Sequence, residues 1–280
     1  MRETSEYVRL QSNLAKLSLT KMSEYLPGYL DDPSAKEKTA VQIMRELTDE
    51  EIRFRDERAA DMNFKLSNFP YRKTIDEFDF GYQPSIDKKI IDDLRTLRFV
   101  ETGANVLFIG SSGVGKTHLA TGLGIDATNS HISTYFISFH NLIVRLKKAA
   151  SEGREEYAIK NLNKYKLLII DEIGYFPVDQ VVAELLFQLV AARYEKRSII
   201  ITTNQPLSRW GKILSDPVIA NATVDRLVHH STIVRISGKS YRIRGKLSED
   251  ETSENFARDP RVSSSMNEEK KGDVFLQPTN

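Results

Sequence analysis

The spacing of hydrophobic residues divides the chain into a helical front part and a longer remainder. In residues 5–26 they recur every three or four positions, which predicts an amphipathic helix that ends at Pro27. Two further helices are predicted to begin at Asp32 and at Thr48. Asp32 is a favoured N-cap residue and is followed by proline. Thr48 is also a favoured N-cap residue and has glutamate three residues later, the spacing of a capping box. Residues 1–68 are therefore expected to form a small N-terminal helical domain.

Beyond this part, short apolar runs alternate with amphipathic helices. The five runs are Val106–Ile109, Thr134–Ile137, Leu167–Ile170, Ser198–Ile201 and Thr232–Ile236. Runs that are apolar throughout indicate strands buried on both faces, and their alternation with helices is typical of a parallel sheet covered on both sides. Residues 69–247 are therefore predicted to be one α/β domain with a five-stranded parallel sheet. The polar residues 248–280 are predicted to be a disordered tail.

The first apolar run leads into a glycine-rich segment with the spacing G-x-x-x-x-G-K-T. A P-loop needs this spacing between a strand and a helix, which is the predicted context here. Backbone N–H groups and the helix N-terminus favour phosphate oxygens, Lys116 is placed to reach the β- and γ-phosphates, and the Thr117 hydroxyl to bind Mg²⁺. The predicted nucleotide-binding residues are Gly110, Ser111, Ser112, Gly113, Val114, Gly115, Lys116, Thr117 and His118.

Polar residues that follow later apolar runs complete a candidate hydrolytic site. Asp171 and Glu172 come directly after the third run, and open α/β sheets bind their ligands at this edge. Asp171 is predicted to hold Mg²⁺ and Glu172 to polarise the attacking water. Asn204, after the fourth run, is predicted to orient that water, with Thr203 as the second choice.

Arg226 follows Asp225 late in the helix predicted before the last strand. The expected strand order keeps it away from the P-loop of its own subunit, but it can reach a γ-phosphate bound to a neighbouring subunit as an arginine finger. A surface ion pair with Asp225 explains the same two residues equally well. The sequence therefore leaves open both a contact between subunits and a plain surface pair.

The total charge conceals basic and acidic parts of the chain. The sequence has 40 Lys and Arg against 39 Asp and Glu, a formal net charge of +1. Residues 139–166 and 201–247 are net basic, whereas residues 1–60 and 248–280 are net acidic. The balance excludes only histone-like or strongly acidic proteins. It leaves nucleic-acid binding by the basic segments open.

The absence of cysteine narrows the possible chemistry. With no Cys in the sequence, a disulfide scaffold, a thiolate zinc site, an iron–sulfur cluster and a catalytic cysteine are excluded. The N-terminus lacks the apolar core of a signal peptide, and no apolar run approaches the ~18 residues of a membrane span. We expect a soluble, cytoplasmic protein without a membrane partner.

The order of the P-loop, the Asp-Glu pair, the Thr-Thr-Asn segment and the Asp-Arg pair resembles that of the AAA+ ATPases. The segments Thr74–Phe80, Leu168–Tyr175 and Asp225–His230 resemble one family more closely, the IstB-like proteins. These are ATP-binding helpers of a transposase encoded by bacterial insertion sequences. They are similar to the helicase loader DnaC and, more distantly, to the initiator DnaA. The resemblance covers about residues 5–247.

This resemblance implies a DNA-stimulated ATPase that binds ATP and Mg²⁺. It implies self-assembly through AAA+ interfaces on double-stranded DNA with little sequence preference, and recruitment and stimulation of a cognate transposase, with hydrolysis driving release. Asp171 and Glu172 become the Walker B pair, Asn204 the sensor 1 residue and Arg226 the finger. No helical lid is expected after the last strand, and Arg242 is a candidate for the arginine that such a lid carries.

Two helices predicted at about residues 139–151 and 154–164 correspond, in the initiator and loader branch, to an insertion that lines a DNA channel. Cationic side chains on such helices contact phosphates without reading sequence. The predicted DNA contacts are Arg145, Lys147, Lys148 and Arg154. A solvated helix face is the alternative interpretation.

Other functions share parts of this pattern. The main alternative is a replicative helicase loader of the DnaC type, whose partner is a helicase instead of a transposase. A second is a nucleotide-gated scaffold in which ATP only holds an assembly together. A small-molecule P-loop kinase is disfavoured, because no substrate-binding lid segment is visible and the Asp-Glu pair suits water activation better.

Overall fold

A parallel sheet lies at the centre of the computed structural model, which describes residues 2–174 and 177–244. The strands lie in the order β2-β3-β4-β1-β5, and each neighbouring pair is parallel. Their bounds are β1 Asn105–Gly110, β2 Thr134–Ser138, β3 Leu167–Ile173, β4 Ser198–Thr203 and β5 Ser231–Ile236. The predicted α/β class and five-stranded sheet are confirmed. The tail predicted at 248–280 lies outside the described residues.

Helices precede the sheet and alternate with its strands. They are α1 Arg2–Lys16, α2 Thr20–Asp31, α3 Ala40–Leu66, α4 Lys88–Arg95, α5 Arg98–Glu101, α6 Lys116–Asn129, α7 Phe139–Ser151, α8 Glu155–Asn163, α9 Gln180–Arg193, α10 Trp210–Ile213 and α11 Pro217–His229. Among these described helices none is long and apolar enough to cross a membrane.

Both faces of the sheet are covered by helices, because successive side chains of each strand point to opposite faces and pack against different helices. On one face, Val106 and Phe108 pack against α6 in one buried cluster. On the other, Leu107 and Leu168 pack against α7, α8, α9 and α11 in a second cluster. The parallel arrangement brings the carboxyl ends of all five strands to one edge, where the polar residues that follow them meet.

Little regular structure follows β5 in the described part of the chain. A single 3-10 turn, Tyr241–Ile243, comes after it, and the described residues end at Arg244. No helical lid is present up to this residue. This agrees with the AAA+ core without a lid that the sequence predicts.

The first helices differ in their bounds from the prediction. The helix predicted over 5–26 is divided at Ser18, whose φ is +57°, and Pro27 lies inside α2 instead of ending a helix. Asp32 caps only a short 3-10 turn, Pro33–Glu37, and not a long helix. The prediction is wrong here because proline is more frequent at helix ends but also occurs inside helices, and because an N-cap residue does not determine how long the following helix is.

The start predicted at Thr48 is also wrong. Its hydroxyl donates to the carbonyl oxygens of Met44 and Arg45, both at 2.8 Å, as a threonine inside a helix does. The helix begins instead after Thr39, which forms a reciprocal capping box with Gln42. The same residue type thus caps α3 at one position and lies inside it at another.

The N-terminal helices enclose a small hydrophobic cluster and are fixed to the edge of the sheet. The buried members of the cluster are Leu14, Met22, Leu26 and Leu47. Just after α3, the Ser67 carbonyl accepts from the N–H of Phe136 in β2 at 2.8 Å, and the Asn68 side chain donates to the Phe136 carbonyl at 3.0 Å. These bonds satisfy backbone groups of an edge strand that lacks a second neighbour.

A buried carboxylate, that of Glu51, fixes the start of α2. It accepts from the backbone N–H of Lys21 at 2.7 Å and of Met22 at 3.3 Å, and from the Arg55 side chain at 2.8 Å. Burial opposes its ionisation, but Arg55 and the two N–H groups outweigh this effect and lower the pKa of Glu51. Since the N-terminus of a helix has unpaired N–H groups, Glu51 acts as an N-cap supplied from another helix.

Replacing Glu51 with Gln is expected to destabilise the N-terminal helices by about 1–2 kcal/mol, the value of a lost helix cap. A lowered folded-state pKa stabilises the fold above the unfolded value of about 4.3, and this contribution is lost as the pH falls through the folded value. The difference between wild type and E51Q in urea unfolding should therefore shrink below about pH 4. Glu57→Gln, an exposed carboxylate on the same helix, is the control. Equal unfolding curves for wild type and E51Q at pH 7 would contradict the role of Glu51.

Candidate functional site

A cavity of about 350 Å³ lies at the carboxyl edge of the sheet. Three parts of the chain build it: the segment before α4, the loop between β1 and α6, and residues that follow β3, β4 and β5. Its lining residues are Tyr71, Lys73, Glu77, Phe78, Asp79, Gln83, Ser112, Gly113, Val114, Gly115, Lys116, Thr117, His118, Glu172, Asn204, Tyr241 and Arg242.

The loop between β1 and α6 has the backbone that its glycines permit. Gly113 and Gly115 have φ values of +81° and +98°, in the region that side chains rarely adopt. A Cβ at Gly113 would lie 2.8 Å from the Cβ of Ser240, and one at Gly115 would lie 2.5 Å from the ring of Phe78. The loop is therefore limited to glycine both by its dihedral angles and by its neighbours.

Lys116 is the first residue of α6 and its ammonium group folds back over the loop. Its Nζ donates to the carbonyl oxygens of Gly110 at 2.9 Å and Ser111 at 2.7 Å. Burial lowers the pKa of Lys116, while the carboxylates of Asp171 and Glu172 act in the opposite direction. Among the described residues, the hydrogen-bond partners of this buried cation are carbonyl oxygens. It is therefore well placed to attract an anionic ligand.

Asp171 joins the loop to the sheet. Its Oδ1 accepts from the hydroxyl of Thr117 at 2.9 Å and from that of Thr202 at 2.6 Å. Burial raises the pKa of Asp171, and the two hydroxyl groups oppose this shift. Thr117 lines the cavity, and the carboxylate of Asp171 lies within hydrogen-bond distance of its hydroxyl. Hydroxyl and carboxylate oxygens are the donor types that Mg²⁺ prefers.

Thr202 in β4 is a site residue that the sequence alone does not single out. Besides donating to Asp171, its hydroxyl accepts from the backbone N–H of Glu172 at 2.9 Å, and the residue is fully buried. This bond holds Glu172 at a φ of +65°, next to an irregularity in the pairing of β3 with β4. Thr202 therefore positions both carboxylates. The Thr-Thr-Asn segment is the available signal, but it does not show which threonine bonds to the carboxylate of Asp171.

The two remaining residues of that segment differ in position. Asn204 lines the cavity, and its buried Oδ1 has no hydrogen-bond partner among the described residues. Thr203 points away from it, donating to the carbonyl of Ile173 at 2.7 Å and accepting from the N–H of Gln205 at 3.0 Å. The geometry favours Asn204 over Thr203 as the residue that faces a ligand.

The segment after β5 forms one wall of the cavity. The N–H of Tyr241 donates to the carbonyl of Gly113 at 2.9 Å, inside the glycine-rich loop. Gln83 donates to the carbonyl of Lys239 at 2.8 Å, and Tyr82 to that of Ser240 at 3.2 Å. These long-range contacts place the side chain of Arg242 at the cavity. Sequence reasoning missed Gln83 and Tyr241 as wall residues, because no local pattern marks such contacts.

The opposite wall is aromatic and includes His118. The Nε2 of His118 lies 2.8 Å from the carbonyl oxygen of Thr74, and its ring packs edge-on against Phe78 at 5.3 Å. Burial lowers the pKa of His118. His118 therefore borders the cavity as part of its wall, held by the segment before α4.

Arg226 does not line this cavity. Its guanidinium lies over the ring of Phe187 in α9 at 4.6 Å and donates to the carbonyl of Ala222 at 3.2 Å. Among the described residues it forms no ion pair with Asp225, so the surface-pair interpretation does not describe its contacts. Arg226 is therefore separate from the cavity that contains Lys116 and Thr117 of its own chain.

The four predicted DNA-contacting residues lie on or just after α7. Arg145 is half-buried, and the other three are exposed. Lys147 pairs with Asp179 at 2.7 Å, while Lys148 and Arg154 lie 3.9 and 3.6 Å from Glu152. Exposed ion pairs of this kind contribute about 0–1 kcal/mol, so they do not prevent these side chains from contacting phosphates.

A family model described as IstB-like ATP binding protein matches residues 12–249. The chain belongs to this IstB-like family. A relative from insertion sequence IS232 of Bacillus thuringiensis subsp. berliner, named for ATP binding, is 47% identical over 246 residues, covering 88% of this chain and 98% of the relative. Its counterpart from IS5376 of Geobacillus stearothermophilus is 40% identical, covering 87% and 97%. The IS21 protein of Pseudomonas aeruginosa is 38% identical, covering 85% and 89%.

Solved structures share the fold of this IstB-like chain. A crystal structure of DnaI aligns with a TM-score of 0.50 at 20% identity, covering 59% of this chain and 92% of that one. AMPPCP-bound DnaA from Aquifex aeolicus aligns with a TM-score of 0.52 at 16% identity, covering 70% and 59%. At these identities the likeness shows a shared fold alone.

Replacing Gly113 with Ala is expected to weaken nucleotide binding at least about tenfold. The new Cβ meets the side chain of Ser240 and pushes the segment after β5 away from the loop, in addition to the roughly 1–2 kcal/mol cost of alanine at positive φ. Titration with a fluorescent ATP analogue measures the effect.

Gly153→Ala is the matched control for this variant. Gly153 also has a positive φ, +63°, but a Cβ there meets nothing within 4 Å. Both variants carry the cost of alanine at positive φ, but only G113A also clashes with Ser240 and loses nucleotide affinity. Wild-type affinity in G113A would contradict the close contact between the loop and the segment after β5.

Proposed function

We propose that the chain is a DNA-stimulated ATPase that assists the transposition of an insertion sequence. It binds ATP with Mg²⁺ in the cavity at the sheet edge, assembles with copies of itself on double-stranded DNA and recruits its transposase. The observation that carries the enzymatic part is the hydrogen-bonded set Thr117–Asp171–Thr202, which holds Glu172 beside Lys116. The family and the insertion-sequence names of the relatives support the biological part.

In this proposal the triphosphate lies against the glycine-rich loop. The backbone N–H groups of Gly113 and Gly115 and the N-terminus of α6 bind its oxygens. Lys116 leaves the carbonyls of the loop for the β- and γ-phosphates, whose negative charge favours its protonated form. Thr117 and Asp171 are the oxygen ligands suited to Mg²⁺, which supplies charge neutralisation when bound.

Hydrolysis then rests on groups around the γ-phosphate. Glu172 accepts a hydrogen bond from the attacking water and polarises it. Asn204 orients that water with its amide oxygen, which has no hydrogen-bond partner in the described part of the chain. Arg242, at the cavity wall, adds positive charge within the same subunit. Arg226 of a neighbouring subunit completes the site, so that turnover depends on assembly.

DNA binding is proposed for the exposed surface of α7 and for Arg154, which lies between α7 and α8. Arg145, Lys147, Lys148 and Arg154 are cations within one stretch of ten residues, so they can follow a phosphate backbone without reading bases. The alternative of a DnaC-type helicase loader shares the fold. The insertion-sequence names of the most similar proteins reported above favour the transposition role.

Replacing Glu172 with Gln is expected to leave ATP binding intact and to lower turnover by roughly 100-fold or more, the usual contribution of general-base catalysis. The variant should also stay on DNA longer, because hydrolysis drives release. Phosphate release and DNA dissociation measure the two effects. Glu184→Gln, an exposed carboxylate in α9, is the control. Turnover by E172Q equal to wild type would refute the assigned role.

A triple alanine variant at Arg145, Lys147 and Lys148 is expected to weaken DNA binding about tenfold or more at low salt. Its dependence on salt concentration should also fall, by about 0.9 in the log–log slope for each phosphate that the variant no longer neutralises. The control variant replaces Lys88, Lys89 and Arg98, which are exposed on α4 and α5 at the other face of the sheet. Both variants remove three positive charges, so an equal loss of affinity would indicate a nonspecific charge effect and contradict the proposed surface.

A further inference from the structure

A second cluster of ligand-type side chains lies away from the nucleotide cavity, at the amino edge of the sheet. Glu195 is in the turn between α9 and β4, His229 is the last residue of α11, and His230 precedes β5. Each offers a ligand atom, and these atoms lie within 4.8 Å of one another. The two histidines belong to the Asp225–His230 segment, and the proposed ATPase mechanism uses neither.

The backbone that carries these residues is fixed on both sides. The buried guanidinium of Arg193 donates to four carbonyl oxygens, those of Leu162, Tyr165, Lys166 and Ser198, which anchors the turn containing Glu195. The carbonyl of His230 accepts from the N–H of Asn105 in β1 at 2.8 Å. A site on such fixed elements needs little reorganisation to bind a ligand.

The side chains already point toward one another. The Nε2 of His230 lies 3.1 Å from the Oε1 of Glu195, and the two imidazole rings are 4.1 Å apart between centroids. The hydroxyl of Tyr194 lies 2.7 Å from the Nδ1 of His229. A hydrogen bond to one ring nitrogen orients the ring and leaves the other nitrogen available, as is usual for histidines that bind metals.

Two imidazoles and one carboxylate form a typical ligand set for zinc, with a fourth position left for water. Mg²⁺ and Ca²⁺ prefer oxygen ligands, so this set discriminates against the cation of the nucleotide site. All three side chains are exposed, which gives an ion direct access from solvent. We propose that Glu195, His229 and His230 form a Zn²⁺-binding site.

The site is placed to stabilise the helix that carries Arg226. A bound ion joins the C-terminal end of α11 to the turn after α9, and Arg226 lies one turn earlier on α11 against Phe187 of α9. Zinc binding itself does not depend on the proposed ATPase function. It can therefore be tested without nucleotide or DNA.

The test uses the full chain without a histidine tag, stripped of metal and titrated with Zn²⁺ alone against a chromophoric zinc chelator. One equivalent per chain is expected. His229→Ala, His230→Ala and Glu195→Gln should each weaken binding at least about tenfold, because each removes one of three ligands. Millimolar Mg²⁺ should not compete.

His131→Ala is the matched control, since His131 is exposed at the same end of the sheet but precedes β2, on the opposite edge. It should bind zinc as the wild type does. At the same zinc concentration, zinc should also raise the melting temperature of wild type and H131A more than that of the three ligand variants. Absence of stoichiometric binding, or unchanged binding in H229A and H230A, would overturn the proposal and leave an ordinary exposed His–Glu pair.

Discussion

The carboxylate of Asp171 is the interaction on which the site depends. A buried carboxylate needs partners, because leaving it unpaired costs several kcal/mol. Here the partners are two hydroxyl groups, Thr117 at the start of α6 and Thr202 in β4. One atom, Oδ1, therefore links the glycine-rich loop, β3 and β4. This carboxylate therefore also fixes Thr117, whose side chain lines the cavity.

Contacts from two distant segments of the chain also restrain the glycine-rich loop. Gly113 accepts the N–H of Tyr241 at 2.9 Å, and Gly115 lies against Phe78, so segments on either side of the core in sequence both contact the loop. Because the wall is a short segment, its position depends on a few hydrogen bonds, including those from Tyr82 and Gln83. A ligand that displaces the loop must also move this segment.

The features that the sequence predicts correctly are those that a local pattern of residues defines. The strands are continuous apolar runs and the P-loop is defined by its spacing, so both are identified. Thr202, Gln83 and Tyr241 are missed because their contacts join residues about 30 to 160 positions apart. The predicted bounds of the first helices are wrong for a related reason, since a threonine hydroxyl can cap a helix or bond inside it, and only the packed structure decides. The contact of Arg226 with Phe187 is likewise absent from the sequence prediction, because no local pattern marks it.

A chain of contacts joins the proposed DNA surface to the proposed finger. Lys147 in α7 pairs with Asp179, the N-cap of α9, and Phe187 of α9 lies under Arg226 of α11. An exposed ion pair is worth about 0–1 kcal/mol, whereas a tenfold stimulation of turnover by DNA requires about 1.4 kcal/mol. If Lys147 leaves Asp179 to bind a DNA phosphate, the free energy of the lost ion pair is therefore too small to account for a strong stimulation of ATP turnover by DNA. The buried cluster that α7 and α9 share includes Leu142, Leu146 and Leu186. It is the stronger candidate route, because a close-packed interior transmits small displacements between helices.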